Sequence, residues 1–171
     1  NMRITIMGGC GSGKTVLSKK IIEKFAVPYL DLDRLWFESG GASINPNNPS
    51  EKERVSQIRL DKVKAFITQD SWISDGDFSV AQVETAKSAD TIVFIDIPLT
   101  IRIWNHLYRT VLRKDRHPEV SFWGDLLFVH TMIKRTKKLR PKIDALLAEH
   151  KAKAVVLKNR KQIESFFLSL S

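Results

Sequence analysis

Short apolar runs, separated by longer amphipathic stretches, dominate the hydrophobic pattern of this chain. Five runs have the length and composition of β-strands: residues 3–7, 27–31, 72–76, 91–97 and 153–157. The run at 91–97 is almost continuously apolar, which is typical of a strand that is covered on both faces. The pattern therefore predicts five strands.

Between these runs, apolar residues recur at the spacing of amphipathic helices. Leu17, Ile21 and Phe25, for example, lie on one face of such a helix. The predicted helices are residues 14–25, 51–69, 80–88, 100–112, 122–149 and 162–170. Strands that alternate with helices predict an α/β fold in three layers, with a parallel sheet between two layers of helices. We expect a single domain over residues 1–171, with ligands at the carboxyl ends of the strands.

Local signals refine the ends of two predicted helices. Ser50 and Glu53 form a candidate capping box at the start of one helix, directly after an exposed loop at residues 40–50 that is rich in turn formers. Pro141 is expected to divide the stretch at 122–149 into two helices, because proline removes a backbone donor from a helix interior.

A glycine-rich loop joins the first predicted strand to the first helix and fits the phosphate-binding pattern G-x-x-x-x-G-K-[ST]. It consists of Gly8, Gly9, Cys10, Gly11, Ser12, Gly13, Lys14 and Thr15. Glycines let backbone N–H groups face nucleotide phosphates, Lys14 reaches the β and γ phosphates, and the Thr15 hydroxyl holds Mg²⁺. The alternative, a merely flexible glycine turn, does not require the strand and helix that flank the loop. The loop therefore predicts ATP and Mg²⁺ as cofactors.

Composition narrows the class of protein without changing the predicted fold. Hydrophobic residues make up 43% of the chain and charged residues 27%, which is ordinary for a soluble globular domain. The chain has no signal-like segment and no apolar run of about 18 residues, so we expect a cytoplasmic protein without a membrane partner. Cys10 is the only cysteine, and the four histidines lack metal-ligand spacing. Disulfides, a thiolate metal site and a histidine-based site are therefore not expected.

Positive charge is concentrated in the second half of the chain. The net charge is +9, and residues 99–171 carry 16 lysines and arginines against 6 acidic residues. Such asymmetry suggests attraction to polyphosphate or nucleic acid, although basic residues on amphipathic helices often form only a solvated face. We expect the densest basic run, residues 134–140, to be a solvated face rather than a nucleic-acid interface.

Four aspartates follow or end predicted strands: Asp31, Asp33, Asp75 and Asp96. Asp75 precedes a glycine and suits the Mg²⁺ shell, through water, unless it only makes an ordinary Asp-Gly turn. Asp33 or Asp31 is a candidate to orient or deprotonate an acceptor hydroxyl, unless one of them caps the next short helix. We favour Asp33 for this role.

Four arginines lie within about 60° of one another on the helix that follows the fourth predicted strand, at about 100° per residue. They are Arg102, Arg109, Arg113 and Arg116. One interpretation is a solvated stripe. The other makes Arg109, Arg113 and Arg116 the cations of a lid that closes over ATP and offsets the charge that develops during transfer.

Together, these blocks resemble the P-loop nucleoside monophosphate kinase superfamily, and within it the adenylate-kinase-related group known as DNA topology modulation proteins. The resemblance covers nearly the whole chain. It is carried by the arginines from 102 to 116 and by GGCGSGKT at 8–15, VPYLDLDRLWF at 27–37, WISDGDF at 72–78 and SADTIVFIDIP at 88–98. Where adenylate kinases follow the Asp-Gly of strand 3 with Phe-Pro-Arg, this chain has Asp77-Phe78-Ser79, so the resemblance does not specify the acceptor.

The resemblance implies the three-layer P-loop NTPase fold with strand order 2-3-1-4-5. It also implies an acceptor-binding insertion at about 34–70, a lid at about 109–123 and a Walker-B-like role for Asp75. The ATP phosphates would lie on Gly11, Gly13, Lys14 and Thr15.

The leading hypothesis is an ATP- and Mg²⁺-dependent kinase that transfers the γ-phosphoryl group to a small acceptor, such as a nucleotide or nucleoside. Its candidate catalytic residues are Lys14, Asp33, Arg109, Arg113 and Arg116. The alternative is a nucleotide-dependent regulator that binds nucleic acid and performs no small-molecule transfer. A third interpretation is an ATP-binding remnant without turnover.

Overall fold

Five parallel strands form one sheet in this structure, which is a computed structural model. The structure describes residues 1–45, 47–112 and 122–170. Within these ranges, the backbone alone is described for 109–112 and 122–126. The strands are β1 (Arg3–Met7), β2 (Tyr29–Asp31), β3 (Trp72–Gly76), β4 (Thr91–Ile95) and β5 (Ala154–Leu157). Their order across the sheet is β2-β3-β1-β4-β5, and every adjacent pair is parallel. The predicted fold class and strand order are confirmed.

Helices connect the strands and cover both faces of the sheet. They are α1 (Lys14–Phe25), α2 (Leu32–Glu38), α3 (Pro49–Phe66), α4 (Val80–Ser88), α5 (Leu99–Leu112), α6 (Phe122–Glu149) and α7 (Arg160–Ser169). Short 3-10 turns occupy Gly41–Ser43 and Lys151–Lys153. No helix in the described part of the chain is both long enough and apolar enough to span a membrane.

Alternating side chains of the strands build a separate apolar core on each face of the sheet. On one face, Ile6 of β1 belongs to a buried cluster with Leu17 of α1. On the other face, the next residue, Met7, clusters with Ala86 of α4 and Leu146 of α6. Because neighbouring side chains of a strand point to opposite faces, both layers of helices are packed directly on the central strand.

The start of α3 differs from the predicted capping box. Asn48 is the N-cap, and its side-chain oxygen accepts hydrogen bonds from the backbone N–H groups of Ser50 and Glu51. Pro49 occupies the first helical position, where its fixed φ favours the helix and its missing N–H costs nothing. The helix therefore begins earlier than Ser50 and Glu53 indicated.

The predicted break at Pro141 is wrong, because α6 continues through it. The prolyl residue removes one helical hydrogen bond. Packing of Ile143 and Leu146 against the sheet holds the following turns in place and offsets that loss. One long helix thus crosses a whole face of the molecule.

Candidate active site

The predicted phosphate-binding loop joins β1 to α1 in a conformation that only glycine adopts readily. Gly11 and Gly13 have φ of 78° and 94°, in the left-handed region. Gly13 is the N-cap of α1 and offers no side-chain cap, and a Cβ at this position would meet no atom within 4 Å. The start of α1 therefore has no side-chain cap and has open space beside Gly13, which fits an anionic group such as a phosphate.

The other loop residues lie around this helix start. Gly9 accepts a hydrogen bond from the backbone N–H of Ser12 at 3.2 Å, which closes a turn within the loop. The Ser12 hydroxyl is buried and makes no hydrogen bond to the described residues. Thr15, in contrast, is exposed at the first turn of α1. Gly8 and Cys10 complete the loop on the side of β4 and α5.

Lys14 and Asp33 face each other, with 3.3 Å between Lys14 Nζ and Asp33 Oδ2. The second carboxylate oxygen of Asp33 accepts a hydrogen bond from the backbone N–H of Asp77 at 3.1 Å, which fixes the carboxylate plane. Asp31 is instead the N-cap of α2, where it accepts from the N–H groups of Asp33 and Arg34. The structure thus turns Asp33, and not Asp31, toward the loop.

Asp75 lies at the carboxyl end of β3 and is only 1% exposed. Its Oδ2 accepts a hydrogen bond from the Ser18 hydroxyl at 2.7 Å. Burial raises the pKa of Asp75, and the Ser18 hydrogen bond opposes this only in part. A buried carboxylate without an ion pair among the described residues suits a nearby cation.

The described residues do not provide enough metal ligands to surround a metal ion with protein side chains alone. No group of three or more His, Cys, Asp or Glu side chains that could hold a metal ion occurs in the described ranges. Mg²⁺ bound to nucleotide needs no such group, because phosphate oxygens and water supply most of its ligands. Thr15 and Asp75, at the helix start and the adjacent strand end, fit this open type of site.

A cavity of about 710 Å³ opens beside the loop at the carboxyl edge of the sheet. Helices α2, α3, α5 and α6 supply its walls. Its charged lining residues are Lys14, Asp33, Arg59, Asp77, Asp96, Arg102, Arg135 and Arg140. The cavity is large enough for a small ligand next to the loop.

Arg59 of α3 is a buried cation in this wall and is 9% exposed. Its Nη2 donates to the backbone oxygen of Leu32 at 2.7 Å, and its guanidinium carbon lies 5.8 Å from the centre of the Trp36 ring. Its Nε is buried and makes no hydrogen bond within the described part of the chain. Burial lowers the pKa of Arg59, yet a guanidinium stays charged at neutral pH. A spare donor and a cation without a close ion pair fit an anionic ligand, although Asp33 already offsets part of the charge from a longer distance.

The basic run at 134–140 is exposed, as expected of a solvated face, but two of its arginines also pair with acids at the edge of the sheet. Arg135 Nε donates to Asp77 Oδ2 at 2.8 Å, and Arg140 Nη1 donates to both carboxylate oxygens of Asp96 at 3.0 Å. Arg140 Nε also pairs with Asp144 on the next turn. Two arginines of the run therefore lie over the carboxyl ends of β3 and β4, because the acids there attract them.

A signal for this orientation is present in the sequence. Met132, Thr136, Leu139 and Ile143 recur at spacings of four, three and four and all line the cavity. Their spacing marks the inner face of α6, and Arg135 and Arg140 flank that face. The high density of charge in the run drew attention away from this spacing of its less polar residues.

Arg102 does not share a solvated stripe with the later arginines. Its Nε donates to the backbone oxygen of Cys10 at 3.0 Å, and its Nη1 donates to the Thr136 hydroxyl at 3.3 Å. The side chains of Arg109, Arg113 and Arg116 and most of the predicted lid lie outside the described residues. Their catalytic role stays a prediction.

Two solved structures have the same fold as this chain, whereas no family model and no curated protein sequence matches it. One is a shikimate kinase from Bacteroides thetaiotaomicron, with 19% identity, a TM-score of 0.63, and coverage of 99% of this chain and 96% of that chain. The other is a shikimate kinase from Acinetobacter baumannii in complex with shikimate, with 14% identity, a TM-score of 0.61, and coverage of 98% and 89%. The chain therefore has the P-loop kinase fold. The topology modulation subgroup stays a prediction.

Proposed function

We propose that this protein is a kinase that transfers the γ-phosphoryl group of Mg·ATP to a hydroxyl group of a small anionic acceptor. The observation that carries the proposal is the 3.3 Å approach of Asp33 Oδ2 to Lys14 Nζ where the loop meets the 710 Å³ cavity. A phosphate-binding lysine and a carboxylate at this distance are the two groups that the donor and the acceptor hydroxyl require. The fold shared with two shikimate kinases supports the same reaction class.

On the donor side, the loop N–H groups and Lys14 bind the phosphates. Thr15 and Asp75 are the residues that would hold Mg²⁺, Thr15 directly and Asp75 through water. The ion would supply neutralisation of the phosphate charge. The open helix start at Gly13 and the buried carboxylate of Asp75 are the features of this chain that fit the donor complex.

On the acceptor side, Asp33 accepts the proton of the attacking hydroxyl. Its Oδ1 is held by the Asp77 N–H, so its Oδ2 is the free oxygen once Lys14 turns to the phosphates. A positioned carboxylate next to the acceptor oxygen is the arrangement that phosphoryl transfer to a hydroxyl uses.

The anionic part of the acceptor binds Arg59. This guanidinium has a buried, unused Nε donor and no carboxylate of the described residues within 4.0 Å, and Asp33 offsets its charge only from a longer distance. A carboxylate or phosphate accepts two hydrogen bonds from such a fork. Hydroxycarboxylic acids such as shikimate, and nucleoside monophosphates, are therefore the first acceptors to test.

The experiment is ADP release from Mg·ATP with a panel of acceptors in three groups: hydroxycarboxylic acids, nucleoside monophosphates and neutral sugars or nucleosides. We expect saturable stimulation by an anionic member. Asp33→Asn should lower kcat for that acceptor by roughly 10²- to 10⁴-fold, as expected for loss of a positioned base. Glu23→Gln, an acid-to-amide change on the exposed side of α1, is the matched control and should leave the rate unchanged.

Two results would contradict the proposal. Stimulation by neutral acceptors alone would refute an anionic substrate class. If no acceptor of the panel stimulates ADP release, and the protein binds DNA with an affinity that falls steeply as the salt concentration rises, the nucleic-acid regulator would be favoured instead.

A further inference from the structure

Arg102 of α5 is held against the phosphate-binding loop by polar anchors that leave part of its guanidinium unused. Its Nε donates to the Cys10 backbone oxygen at 3.0 Å, and its Nη1 donates to the Thr136 hydroxyl at 3.3 Å. Its Nη2 makes no hydrogen bond to any described residue, and Arg102 lines the same cavity as Lys14 and Asp33. At least two N–H donors therefore remain free on the side of the loop.

The positive charge of Arg102 is also not neutralised by a neighbour. Within the described ranges, no carboxylate lies within 4.0 Å of its guanidinium, whereas Lys14 and Arg135 each have one and Arg140 has two. Burial lowers the pKa of Arg102, while the more distant Asp77 and Asp96 oppose that shift. A half-buried arginine anchored only by neutral groups keeps its full charge available for an anion.

The loop has room for this guanidinium only because residue 9 is glycine. A Cβ on Gly9 would collide with Arg102 Nη2, and a Cβ on Gly11 would lie 2.5 Å from the backbone oxygen of Arg102. Asn105, one turn later, donates to the Gly11 backbone oxygen at 3.0 Å. Helix α5 is thus packed directly on the loop, and it carries the guanidinium to the loop surface between Gly9 and Lys14.

We propose that Arg102 is a further catalytic residue that contacts the phosphoryl group during its transfer. This inference rests on the proposed kinase function. In the transfer, the bond from the γ phosphorus to the β–γ bridging oxygen breaks, a bond to the acceptor oxygen forms, and the hydroxyl proton passes to Asp33. Arg102 undergoes no covalent change; its free N–H groups donate to the phosphoryl oxygens and offset the negative charge that develops there. Its two anchors preorganise it for this contact.

The test compares binding of Mg·ADP alone with binding of Mg·ADP plus aluminium fluoride, which imitates the phosphoryl group in transfer. We expect aluminium fluoride to increase ADP affinity in the unmodified protein. In Arg102→Gln, this increase should fall by ~10²-fold or more, with Mg·ADP affinity changed little. Arg102→Lys should recover part of the increase, since an ammonium keeps the charge but not the fork. Lys151→Gln, at the opposite edge of the sheet, is the charge control and should behave as the unmodified protein.

The readout separates catalytic contact from a structural role. An unchanged aluminium fluoride effect in either folded Arg102 variant would overturn the inference. Equal loss of affinity with and without aluminium fluoride would also overturn it, because Arg102 would then only hold the loop in place. If the unmodified protein does not bind Mg·ADP at all, both the proposed kinase function and the proposed role of Arg102 are refuted. A normal aluminium fluoride effect with no active acceptor would refute the acceptor class alone and leave the role of Arg102 supported.

Discussion

The two walls of the cavity are built in different ways. The phosphate wall is one contiguous segment, residues 8–15, and offers backbone N–H groups, a lysine and a hydroxyl. The acceptor wall consists of side chains from three separate helices, with Asp33 on α2, Arg59 on α3 and Arg135 on α6. A local segment specifies the first wall, whereas only the packing of the whole domain assembles the second.

This difference predicts how each wall responds to substitution. Changes in the phosphate wall should affect every reaction of the nucleotide, because all of them use the same loop. Changes in the acceptor wall should affect one substrate and leave the other unchanged. Of the following three variants, in order of expected effect, the first two test this distinction and the third tests the buried acid beside the phosphate wall.

Replacement of Lys14 by alanine should have the largest effect. Transfer should fall by ~10³-fold or more, because a cation on the β and γ phosphates is lost, and ATP binding should weaken as well. ADP release and calorimetric ATP titration measure the two effects. Lys19→Ala, on an exposed position of the same helix, is the control. Unchanged turnover in Lys14→Ala would show that the loop does not serve phosphoryl transfer.

Replacement of Arg59 by glutamine should have an intermediate and selective effect. We expect the acceptor KM to rise by ~10-fold to 10²-fold, which corresponds to about 1.5–3 kcal/mol for a charged hydrogen bond, with the KM for ATP within about twofold of its original value. Initial rates with each substrate varied in turn provide the measurement. Arg54→Gln, on an exposed position of α3, should leave both constants unchanged. A parallel rise in both KM values would remove the distinction between the walls.

Replacement of Asp75 by asparagine should have the smallest effect, and its sign depends on pH. Burial raises the pKa of Asp75, so the native state without ligand binds more protons than the unfolded chain and loses stability as pH rises above about 3.9. The variant avoids this cost. Its unfolding free energy, measured in urea with EDTA, should exceed that of the unmodified protein at pH 7 and approach it near pH 3.5. A lower stability of the variant at pH 7 would contradict this expectation.

The phosphate wall could be predicted from the sequence more fully than the acceptor wall. The loop and the strand order depended on local spacing and on a resemblance that covers the chain, and the structure confirms the fold. The sequence favoured Asp33 but left Asp31 open as the alternative, because either carboxylate could cap the short helix that begins here. Their roles, like those of Thr15 and Asp75, stay predictions.

Long-range packing explains what the sequence did not reveal. The ion pairs of Arg135 with Asp77 and of Arg140 with Asp96 form only after β3, β4 and α6 have packed together. Arg102 was grouped with other arginines by its position on the helical wheel. Its contact with Cys10 depends instead on the docking of α5 onto the loop. Helical periodicity predicts which residues share a face but not which partner that face meets.

The close approach of Gly9 to Arg102 has an evolutionary consequence. A side chain at position 9 would occupy the volume of the guanidinium, so position 9 is restricted while Arg102 holds this place, whereas a shorter residue at position 102 is compatible with Gly9. In related sequences, residues larger than glycine at position 9 should be accompanied by a shorter residue at position 102. Two sites far apart in the chain would then vary as a pair, with position 102 shortened first, because a side chain gained first at position 9 would displace the guanidinium from the loop.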